Sequence, residues 1–425
     1  MKSIIRDRDY MYRLIISQLF YDGYQQVAVS LTQAVNPYPS CPPSDKLFRL
    51  IMTAKQLDDE EKDKAGASYA ATIDAPAVGL DMEYDADVAP TTPEPALYET
   101  IFLTTHKAPC RAAAFNNDGT LVASGSVDAS IKIMDVERIM AREHLPPELE
   151  QTNADLHPVI RTLYDHIDEV NCVAFHPREQ ILASGSKDFT LKFFDFSKAS
   201  VKRAFKTIFE VESIRCISFH PTGDYILVGT QHPTLRLYCV ETNQCYVSSV
   251  PADQHRGPIT DVTYADSARI YATASKDGDV KIWDGISNRV INTYQRAHDG
   301  AEVCSTVFAR NSKYLLTSGK DSIVKLWELA TNRCLVAYTG AGAAGQQELR
   351  AQARFNHNED YVMLPDEKSG SLCSWDARNC DRKRLLALGH TAPVRYFVHS
   401  PTQPAFLTCS EDFRARFWYK KTTLE

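Results

Sequence analysis

Short alternations of apolar and polar residues recur along most of the chain and predict β-strands. The clearest copies read LVASGSVDASIKIMD at 121–135, ILASGSKDFTLKFFD at 181–195 and YATASKDGDVKIWD at 271–284. Each holds two apolar runs separated by a polar turn, as in an antiparallel hairpin. Two further copies, LLTSGKDSIVKLWE and FLTCSEDFRARFW, follow at 315–328 and 406–418.

Two weaker copies complete a series of seven. They read ILVGTQHPTLRLYC at 226–239 and MLPDEKSGSLCSWD at 363–376, and neighbouring copies are 43 to 48 residues apart except for a 60-residue step after the first. Four short strands in a repeat of this length are typical of propeller blades. We therefore predict an all-β, seven-bladed WD40 propeller over residues 98–425.

The ends of the repeat series raise two questions of topology. The long first step predicts an insertion at about 137–158, with a helical start followed by a solvated loop. The last copy ends at Tyr419, which leaves only three strands for the seventh blade. We expect the strand-like run ETIFLT at 99–104 to supply the fourth strand, because a closed ring has no exposed edge.

The first 57 residues follow a helical pattern instead. Apolar positions three and four residues apart predict two helices separated at Asp22–Gly23, and Ser44 is a candidate amino-terminal cap of a third helix. A closed ring leaves these apolar side chains without a partner, so we predict that residues 1–57 form a homodimerisation module. The predicted dimer contact consists of Leu14, Ile15, Leu19, Phe20, Tyr24, Val27 and Leu31.

Charge separates a third segment from these two. The 425 residues carry a net charge of −7, and 44% of them are hydrophobic, as in an ordinary globular protein. Residues 58–99 hold twelve acids and two lysines, so the remainder of the chain sums to +3. We predict an acidic flexible linker at 58–97. The strong basic field of a typical nucleic-acid binder is missing.

The cysteines and the apolar runs indicate in which cellular compartment the protein is found. The eleven cysteines are scattered without a C-x-x-C pair, so we expect reduced thiols, and we expect no metal or cofactor. No apolar run approaches the roughly 18 residues of a membrane helix, and Met1–Asp9 is too charged for a secretory signal. We expect a soluble intracellular protein without a membrane partner.

A histidine, a serine or threonine, and an aspartate recur together in five of the seven repeats. The histidine and aspartate are 22 residues apart in four copies and 23 in the fifth. A hydrolase needs one such triad in one cleft, whereas five equal copies indicate a structural hydrogen-bonded network in each blade. With the tryptophans that end three copies, the predicted tetrads are His106, Ser124 and Asp128; His166, Ser184 and Asp188; His255, Thr273, Asp277 and Trp283; His298, Thr317, Asp321 and Trp327; and His390, Thr408, Asp412 and Trp418.

The two weak repeats lack the triad altogether. Blade three has Glu210, Val228 and His232 at the three positions, and blade six has Gln346, Pro365 and Ser369. The triad is therefore kept or lost as a unit. With no unique acid, base or nucleophile outside the repeats, we expect the chain not to be an enzyme.

A glycine-rich segment, GAGAAG at 340–345, matches the dinucleotide-binding pattern G-x-G-x-x-G. That pattern requires a strand before it and a helix after it. The repeats instead place the segment between the fifth and sixth blades, with ELRAQARF aligned on an inner strand. We interpret it as a loop and expect no small-molecule substrate.

One column of the aligned repeats gathers arginines at the predicted mouth of the central channel. The candidate partner-binding face is Arg111, Asn171, Arg215 and Arg395. Guanidinium groups in a cluster suit acidic or phosphorylated peptides. Alternatively, each arginine pairs with a nearby loop acid such as Asp168 or Glu169. The lysines in IKIMD, LKFFD, VKIWD and VKLWE are interpreted as ordinary solvated positions.

Several segments together resemble the WD-repeat subunit (subunit 1) family of cleavage stimulation factor, which acts in messenger-RNA 3′-end processing. They are RLIISQLFYDGY, LDMEYDADV, HPVIRTLYDHIDEV, GTQHPTLRLY, AHDGAEVC and DFRARFWY, and the likeness covers essentially the whole chain. The resemblance implies a nuclear protein with a LisH-like homodimerisation module. It also implies assembly with a helical-repeat scaffold subunit and, through that subunit, with an RNA-recognition-motif subunit and pre-mRNA.

Two functions remain open at this stage. The favoured one is a non-catalytic assembly subunit that promotes cleavage and polyadenylation of pre-mRNA through dimerisation and protein–protein contacts. The alternative is a WD-repeat substrate receptor of a ubiquitin ligase, because LisH-like helices also precede such propellers.

Overall fold

A computed structural model describes the protein over residues 2–35, 41–48, 80, 82, 90–141, 157–198, 201–341 and 347–420, with side chains from residue 11 onwards. The chain divides into two compact units, Met1–Pro76 and Ala77–Glu425. Three predicted features lie outside the described residues: the third helix beyond residue 48, the linker at 58–79 and the insertion loop at 142–156.

The first unit contains a helical hairpin, α1 (Lys2–Tyr21) and α2 (Gln25–Val35). The chain reverses at Gly23, whose φ of +87° lies in the left-handed region that glycine adopts without strain after a helix. Ile16 and Ala28 are fully buried in the hairpin. Ser44 Oγ accepts the backbone N–H of Lys46 at 3.2 Å where the next helical residues, 46–48, begin, which confirms the predicted cap.

The second unit is a ring of seven four-stranded antiparallel sheets, which confirms the predicted seven-bladed propeller. In blades one to three the strands are β2 (Cys110–Phe115), β3 (Leu121–Ser126), β4 (Ser130–Asp135) and β5 (Val159–Tyr164); β6 (Val170–Phe175), β7 (Ile181–Ser186), β8 (Thr190–Asp195) and β9 (Lys206–Phe209); and β10 (Ile214–Phe219), β11 (Tyr225–Thr230), β12 (Arg236–Cys239) and β13 (Cys245–Tyr246).

The later blades repeat this order from the channel outwards. Blades four to six consist of β14 (Ile259–Tyr264), β15 (Ile270–Ser275), β16 (Val280–Asp284) and β17 (Val290–Tyr294); β18 (Val303–Phe308), β19 (Tyr314–Gly319), β20 (Val324–Glu328) and β21 (Arg333–Tyr338); and β22 (Arg354–Phe355), β23 (Tyr361–Asp366), β24 (Ser371–Asp376) and β25 (Leu386–Ala387). Blade seven consists of β26 (Val394–His399), β27 (Ala405–Ser410), β28 (Arg414–Tyr419) and β1 (Glu99–Thr105).

The seventh blade takes its outer strand from the beginning of the propeller sequence. β1 pairs antiparallel with β28, in a register that joins Glu99 to Tyr419 and Thr105 to Arg414. This is the pairing predicted for residues 99–104. It closes the ring because blade seven then holds four strands like the others.

Glycines in the second strands let neighbouring blades approach closely. A Cβ atom added to Gly185 would lie 2.3 Å from Ile214 Cγ2 of blade three, and one added to Gly229 would lie 2.7 Å from Ile259 Cγ2 of blade four. Real Cβ atoms do not come this close to another atom. The buried thiols of Cys172 and Cys216 fill the space beside these glycines, as small apolar groups do.

The predicted insertion in blade one begins with a helix, α3 (Val136–Ala141), directly after β4. Val136 and Ile139 are buried against residues of blade seven, including Ala405 and Leu407. The helical start of the insertion therefore belongs to the propeller core rather than projecting from it.

The end of the predicted linker packs against the propeller. Leu80 is fully buried beside Tyr314, and its backbone N–H donates to Glu359 Oε2 at 2.9 Å. Thr91 and Thr92 both donate to Asp360 Oδ2, at 3.1 and 2.9 Å, before a short 3-10 turn at Pro95–Leu97. The prediction of a free linker up to residue 97 is wrong for these residues, because an apolar side chain and two hydroxyls anchor them.

No helix in the described part of the chain is both long enough and apolar enough to cross a membrane.

Candidate functional site: the channel mouth and the blade networks

The inner strands surround a cavity of about 520 Å³ at one mouth of the central channel. This mouth, where the inner strands begin, also carries the turns between second and third strands. The structure brings all four candidate partner-binding residues to the cavity wall: Arg111, Asn171, Arg215 and Arg395. Alignment of the repeats was sufficient to place these residues together.

Three further cations line the same cavity, namely Lys187, Lys320 and Arg350. These three residues were not identified from the sequence, because they do not lie at the repeat position that holds Arg111, Arg215 and Arg395. Lys187 and Lys320 lie in the turns that follow β7 and β19, and Arg350 precedes β22. The turns between second and third strands face this mouth in every blade. Lys187 and Lys320 could therefore have been predicted from their turn positions, whereas Arg350 could not.

Carboxylates from neighbouring loops neutralise the blade seven side of the mouth. Arg111 donates to Glu169 at 2.8 Å and to Glu411 at 3.2 Å, and Arg395 lies 3.3 Å from Glu411. Lys187 reaches Glu169 at 3.4 Å. The alternative interpretation, in which arginines pair with loop acids, therefore applies to Arg111 and Arg395.

The opposite side of the mouth is neutralised by a single acid. Glu302 accepts from Arg350 at 2.6 Å and from Lys320 at 3.1 Å. With the pairs around Glu169 and Glu411, five of the six cations have a carboxylate partner.

Arg215 is the exception among the described residues, since it forms no ion pair with any of them. Its Nη1 donates to the neutral side-chain oxygen of Gln231 at 2.5 Å. Burial lowers the pKa of Arg215 from its ordinary value, and the more distant charge of Glu302 opposes that change. An arginine guanidinium stays charged at neutral pH. The mouth therefore holds one partly desolvated positive charge that has no direct ion pair among the described residues.

Below the mouth, a buried aspartate joins two inner strands. Asp261 accepts backbone N–H groups from Val262 at 3.0 Å and from Thr306 of blade five at 2.9 Å. Burial raises the pKa of Asp261, although the charge of Arg354 opposes the rise. Sequence reasoning missed this residue because it occurs in a single blade.

The predicted tetrads are hydrogen-bonded, and blade five shows the complete form. His298 Nδ1 lies 3.0 Å from Asp321 Oδ2, and His298 Nε2 lies 2.9 Å from Thr317 Oγ1. Trp327 Nε1 donates to the same threonine oxygen at 2.9 Å. The aspartate accepts from Nδ1–H, so Nε2 accepts the threonine hydroxyl hydrogen. Blades four and seven repeat these contacts through Trp283 and Trp418.

Blades one and two have the triad without a tryptophan. In blade two, His166 lies 2.8 Å from Asp188 and 2.7 Å from Ser184. In blade one, His106 contacts Ser124 at 2.9 Å, while its Nδ1 is 3.0 Å from Ser130 Oγ and 3.7 Å from Asp128. The second serine thus bridges most of the gap to the aspartate.

The five hydroxyls of these networks are completely buried, at 0% exposure for Ser124, Ser184, Thr273, Thr317 and Thr408. A nucleophile must reach a substrate, and these oxygens cannot do so in the folded chain. The geometry of each triad is therefore suited to joining the strands of a blade.

The aspartates of the networks are held in their charged form. Burial alone would raise the pKa of Asp188, but hydrogen bonds from His166 and Thr190 outweigh it and hold the pKa well below its usual range. Asp277 behaves in the same way beside His255. Burial lowers the pKa of His390, and the hydrogen bond to Asp412 opposes that change.

The repeated lysines of the third strands are not solvated, which corrects their interpretation from the sequence. Lys192 Nζ donates to Asp165 O at 2.5 Å, and Lys281 Nζ donates to Gln254 O at 3.0 Å. Each carbonyl belongs to the residue before a tetrad histidine, and Lys132, Lys325 and Arg416 make the equivalent contact. Each of these cations lies two residues before the position that holds tryptophan in three of the blades. This fixed position in the repeat could have predicted a structural contact.

Blade three replaces the tetrad with a different buried network. Glu210, at the histidine position, accepts from Arg236 at 2.8 Å and from the hydroxyl of Tyr238 at 2.6 Å, and its side chain is only 1% exposed. Arg236 and Tyr238 stand at the lysine and tryptophan positions of the repeat. The sequence showed that the triad was lost here but not that another network takes its place.

Blade six has neither network within the described residues. Trp375 Nε1 donates to the backbone oxygen of Thr339 at 2.9 Å, and Gln346 lies outside the described residues. The glycine-rich segment is described only at Gly340 and Ala341, which follow β21. The next described element is the strand β22 rather than the helix of a dinucleotide site.

The predicted dimer residues differ in exposure. Tyr24 and Val27 are 61% and 54% exposed, whereas Leu14, Ile15, Leu19, Phe20 and Leu31 are partly exposed. Sequence reasoning missed four further exposed apolar side chains of this unit: Met11, Tyr21, Val29 and Phe48. The helical hairpin therefore presents more apolar surface than predicted.

All eleven cysteines are free thiols. Among the described residues, no three histidine, cysteine, aspartate or glutamate side chains come together as metal ligands.

Comparisons with known families also separate an amino-terminal module from the propeller. Residues 3–59 match the family described as cleavage stimulation factor subunit 1, dimerisation domain. The family described as WD domain, G-beta repeat, matches at 98–135, 158–195, 205–239, 247–284, 288–328 and 382–419. These six stretches leave out the sixth blade, one of the two weak sequence copies.

Individual relatives agree with the family matches. The chain is 27% identical over 123 residues to the nuclear distribution protein nudF of Aspergillus flavus, which covers 29% of this chain and 27% of that protein. It is 24% identical over 198 residues to the COMPASS component SWD3 of Saccharomyces cerevisiae, which covers 45% and 56%. Both likenesses are partial.

A third relative matches from one end to the other. Cleavage stimulation factor subunit 50 of Arabidopsis thaliana is 36% identical over 416 residues, which cover 95% of this chain and 94% of that protein. The match includes the helical hairpin and the propeller together, so the chain belongs to the family of the WD40-repeat subunit of cleavage stimulation factor.

Proposed function

We propose that the chain is a non-catalytic assembly subunit of cleavage stimulation factor that promotes 3′-end cleavage and polyadenylation of pre-mRNA in the nucleus. It dimerises through its amino-terminal helices and offers the propeller as a docking platform. Its partners are a second copy of itself and the helical-repeat scaffold subunit, through which it is linked to the RNA-recognition-motif subunit and pre-mRNA.

The observation that carries this proposal is the full-length likeness to a cleavage stimulation factor subunit, which joins a dimerisation domain to a propeller. The exposed apolar side chains of the hairpin support it, because Tyr24, Val27 and Tyr21 are each more than half exposed. Apolar groups concentrated on so small a unit favour association. The buried hydroxyls of the tetrads support a non-catalytic role.

Light scattering of the full chain tests dimerisation. The double variant Tyr24→Glu/Val27→Glu is expected to have the mass of a monomer, because it places charges on the exposed face without entering the interior. Leu19→Glu/Phe20→Glu tests the partly exposed residues of the same face. Ile286→Glu, at an even more exposed apolar position of the propeller, serves as the matched control and should keep the dimer mass. Dimer mass in both hairpin variants would contradict the proposal.

Co-purification from nuclear extract tests the assembly role. A tagged full-length chain is expected to recover RNA-processing subunits, including a helical-repeat scaffold. Recovery of a cullin adaptor in their place would favour the ubiquitin-ligase alternative. Failure of the tagged chain to enter the nucleus would contradict the proposed localisation.

A further inference from the structure

Four large apolar side chains are exposed on the outer part of blade two, at the same end of the ring as the channel mouth. Ile167 is 89% exposed, Phe209 79%, Val211 76% and Phe189 46%. We call these four residues the blade-two rim. Such side chains are costly to expose as a group, and an apolar group of this kind is typical of a binding surface.

Backbone contacts hold the rim residues next to one another. The backbone N–H of Ile167 donates to Asp188 Oδ2 at 3.1 Å, directly before Phe189 in the chain. The backbone oxygen of Phe189 accepts from Glu210 at 2.7 Å, and Glu210 stands between Phe209 and Val211. The rim is therefore one patch rather than four scattered positions.

The left-handed turn that holds Phe189 is common to the repeat. Its φ of +64° is matched in blades one, five and seven by Ala129, Ser322 and Phe413. Blade four has Gly278 at this position, with φ of +87° and no Cβ to strain. In blade two this turn holds a large apolar side chain at an exposed position.

The rim continues into the mouth cavity. Lys187, two residues before Phe189, lines the cavity, and so does Ser213, two residues after Val211. Arg215, the cation without an acidic partner among the described residues, follows two residues later on the same cavity wall. An apolar surface and an unpaired charge are thus joined by a short stretch of wall.

We propose that the blade-two rim and Arg215 form one docking surface for an extended peptide that has a large apolar anchor and an acidic residue. The proposal rests on the platform role proposed above and specifies its ligand. Charge complementarity identifies the anion, because Arg215 has hydrogen-bond donors and no direct ion pair among the described residues, and a carboxylate would supply both a charge and acceptors.

Nucleic acid fits this surface less well than a peptide does. A nucleic-acid groove needs several free cations along a phosphate backbone. Here five of the six cations of the mouth already have carboxylate partners. Phe189 and Phe209 could stack on bases, so the shortage of unpaired cations, and not the apolar rim, is what disfavours nucleic acid.

The geometry of a blade also sets the spacing of the peptide motif. Phe209 ends the fourth strand of its blade and Arg215 lies on a first strand. Three strand spacings of about 4.8 Å separate these positions radially, or about 14 Å. Because the two residues lie on neighbouring blades, this radial distance is a minimum. An extended chain advances about 3.3 Å per residue, so the apolar anchor and the acid should be at least about four residues apart.

Selection of random 12-residue peptides displayed on phage, with the full-length chain as bait, tests the proposal. The enriched peptides are expected to share a large apolar residue and an Asp or Glu at least about four positions away. A fluorescein-labelled copy of the most enriched peptide should bind at least tenfold more weakly to Phe209→Ser/Val211→Ser and to Arg215→Gln. The melting temperature should not change, because the rim residues are exposed.

Ile286→Ser is the matched control for the rim variants, since Ile286 is 90% exposed at the opposite end of the propeller. Arg203→Gln is the control for charge, because Arg203 is an exposed arginine away from the mouth. Both should bind the labelled peptide as the unmodified chain does. No enrichment, enriched peptides without an acid, or unchanged binding to the rim and Arg215 variants would each overturn the inference.

The same variants separate this inference from the proposed function. A rim variant that no longer binds the peptide but still dimerises and recovers RNA-processing subunits leaves the platform role standing and places the scaffold contact elsewhere. Conversely, a chain that binds the peptide but recovers no RNA-processing subunit contradicts the proposed function alone. A single-stranded RNA that displaces the labelled peptide with equal affinity would also overturn the choice of ligand.

Discussion

Blades five and three connect the same parts of the propeller with different chemistry. In blade five a histidine joins an aspartate, a threonine and a tryptophan. In blade three Glu210 takes the histidine position and is held by Arg236 and Tyr238. Both networks tie the residue that follows an outer strand to the third strand of the next blade.

The difference shows that the connection matters more than the residues that make it. A glutamate alone at the histidine position would be a buried charge without a partner, which costs several kcal/mol. The lysine and tryptophan positions have changed with it, to Arg236 and Tyr238, so the charge is paired and both carboxylate oxygens accept a hydrogen bond. The two networks therefore differ in their charged groups, since only the blade three network contains an arginine, and they should fail in different ways.

Removal of Glu210 should have the largest effect. Glu210→Ala leaves the partly buried Arg236 guanidinium without a counter-charge and the Tyr238 hydroxyl without an acceptor, and we expect a loss of about 3 to 4 kcal/mol in the free energy of unfolding. Chemical denaturation of the full chain measures it. Glu241→Ala, an exposed acid of the same blade, is the control. A loss below about 1 kcal/mol would show that the network does not stabilise the blade.

Removal of the blade five histidine should cost less. His298→Ala deletes the link between Asp321 and Thr317 and leaves a cavity, but no buried cation is left without a partner. We expect a loss of about 2 to 3 kcal/mol. The comparison with blade three fails if this variant is destabilised more than Glu210→Ala under the same conditions.

The outermost member of the tetrad should contribute less again. Trp327→Phe removes the indole N–H that donates to Thr317 while keeping an aromatic ring, and we expect a loss of about 1.5 kcal/mol. Combined with His298→Ala it should cost less than the sum of the two, since both residues act through the same threonine hydroxyl. Additive losses would show that the two contacts are independent.

The stabilising charge of a tetrad aspartate should be detectable as a loss of stability at acid pH. The folded-state pKa of Asp188 is lowered, so its contribution is fully present above the unfolded pKa of about 3.9 and is lost as the pH falls towards the folded pKa. Between pH 5 and pH 3 this loss is about 1 kcal/mol for one aspartate. Asp188→Asn should remove that part of the slope of unfolding free energy against pH. An unchanged slope would contradict the stabilised charge.

The sequence was sufficient to predict whatever repeats. One repeat period predicts the seven blades, the closing strand, the tetrads and the arginine column. A position interpreted in one copy can be checked against the same position in the other copies. The third-strand lysines such as Lys281 also repeat. Because lysine side chains are usually exposed, we interpreted them as solvated. Their fixed position in the repeat indicated instead that each has a hydrogen-bond partner. Periodicity was the better guide at that position.

Features that occur once could not be predicted in this way. Glu210 was visible only as a missing histidine, because its two partners lie 26 and 28 residues further along the chain. Leu80 is a single apolar residue in an acidic segment, and only the fold shows the pocket beside Tyr314 that buries it. The blade-two rim likewise combines residues from three loops that are adjacent only in space.

The pairing of β1 with β28 has a consequence for how the protein is made. β1 leaves the ribosome before the other strands, and its partner strand follows roughly 300 residues later, or about 15 to 60 s at ordinary rates of synthesis. For that time the nascent ring is an open arc with an unpaired strand at its start. A chain terminated just before residue 414 would carry six complete blades and no means of closing them, and would remain a substrate for chaperones and proteases.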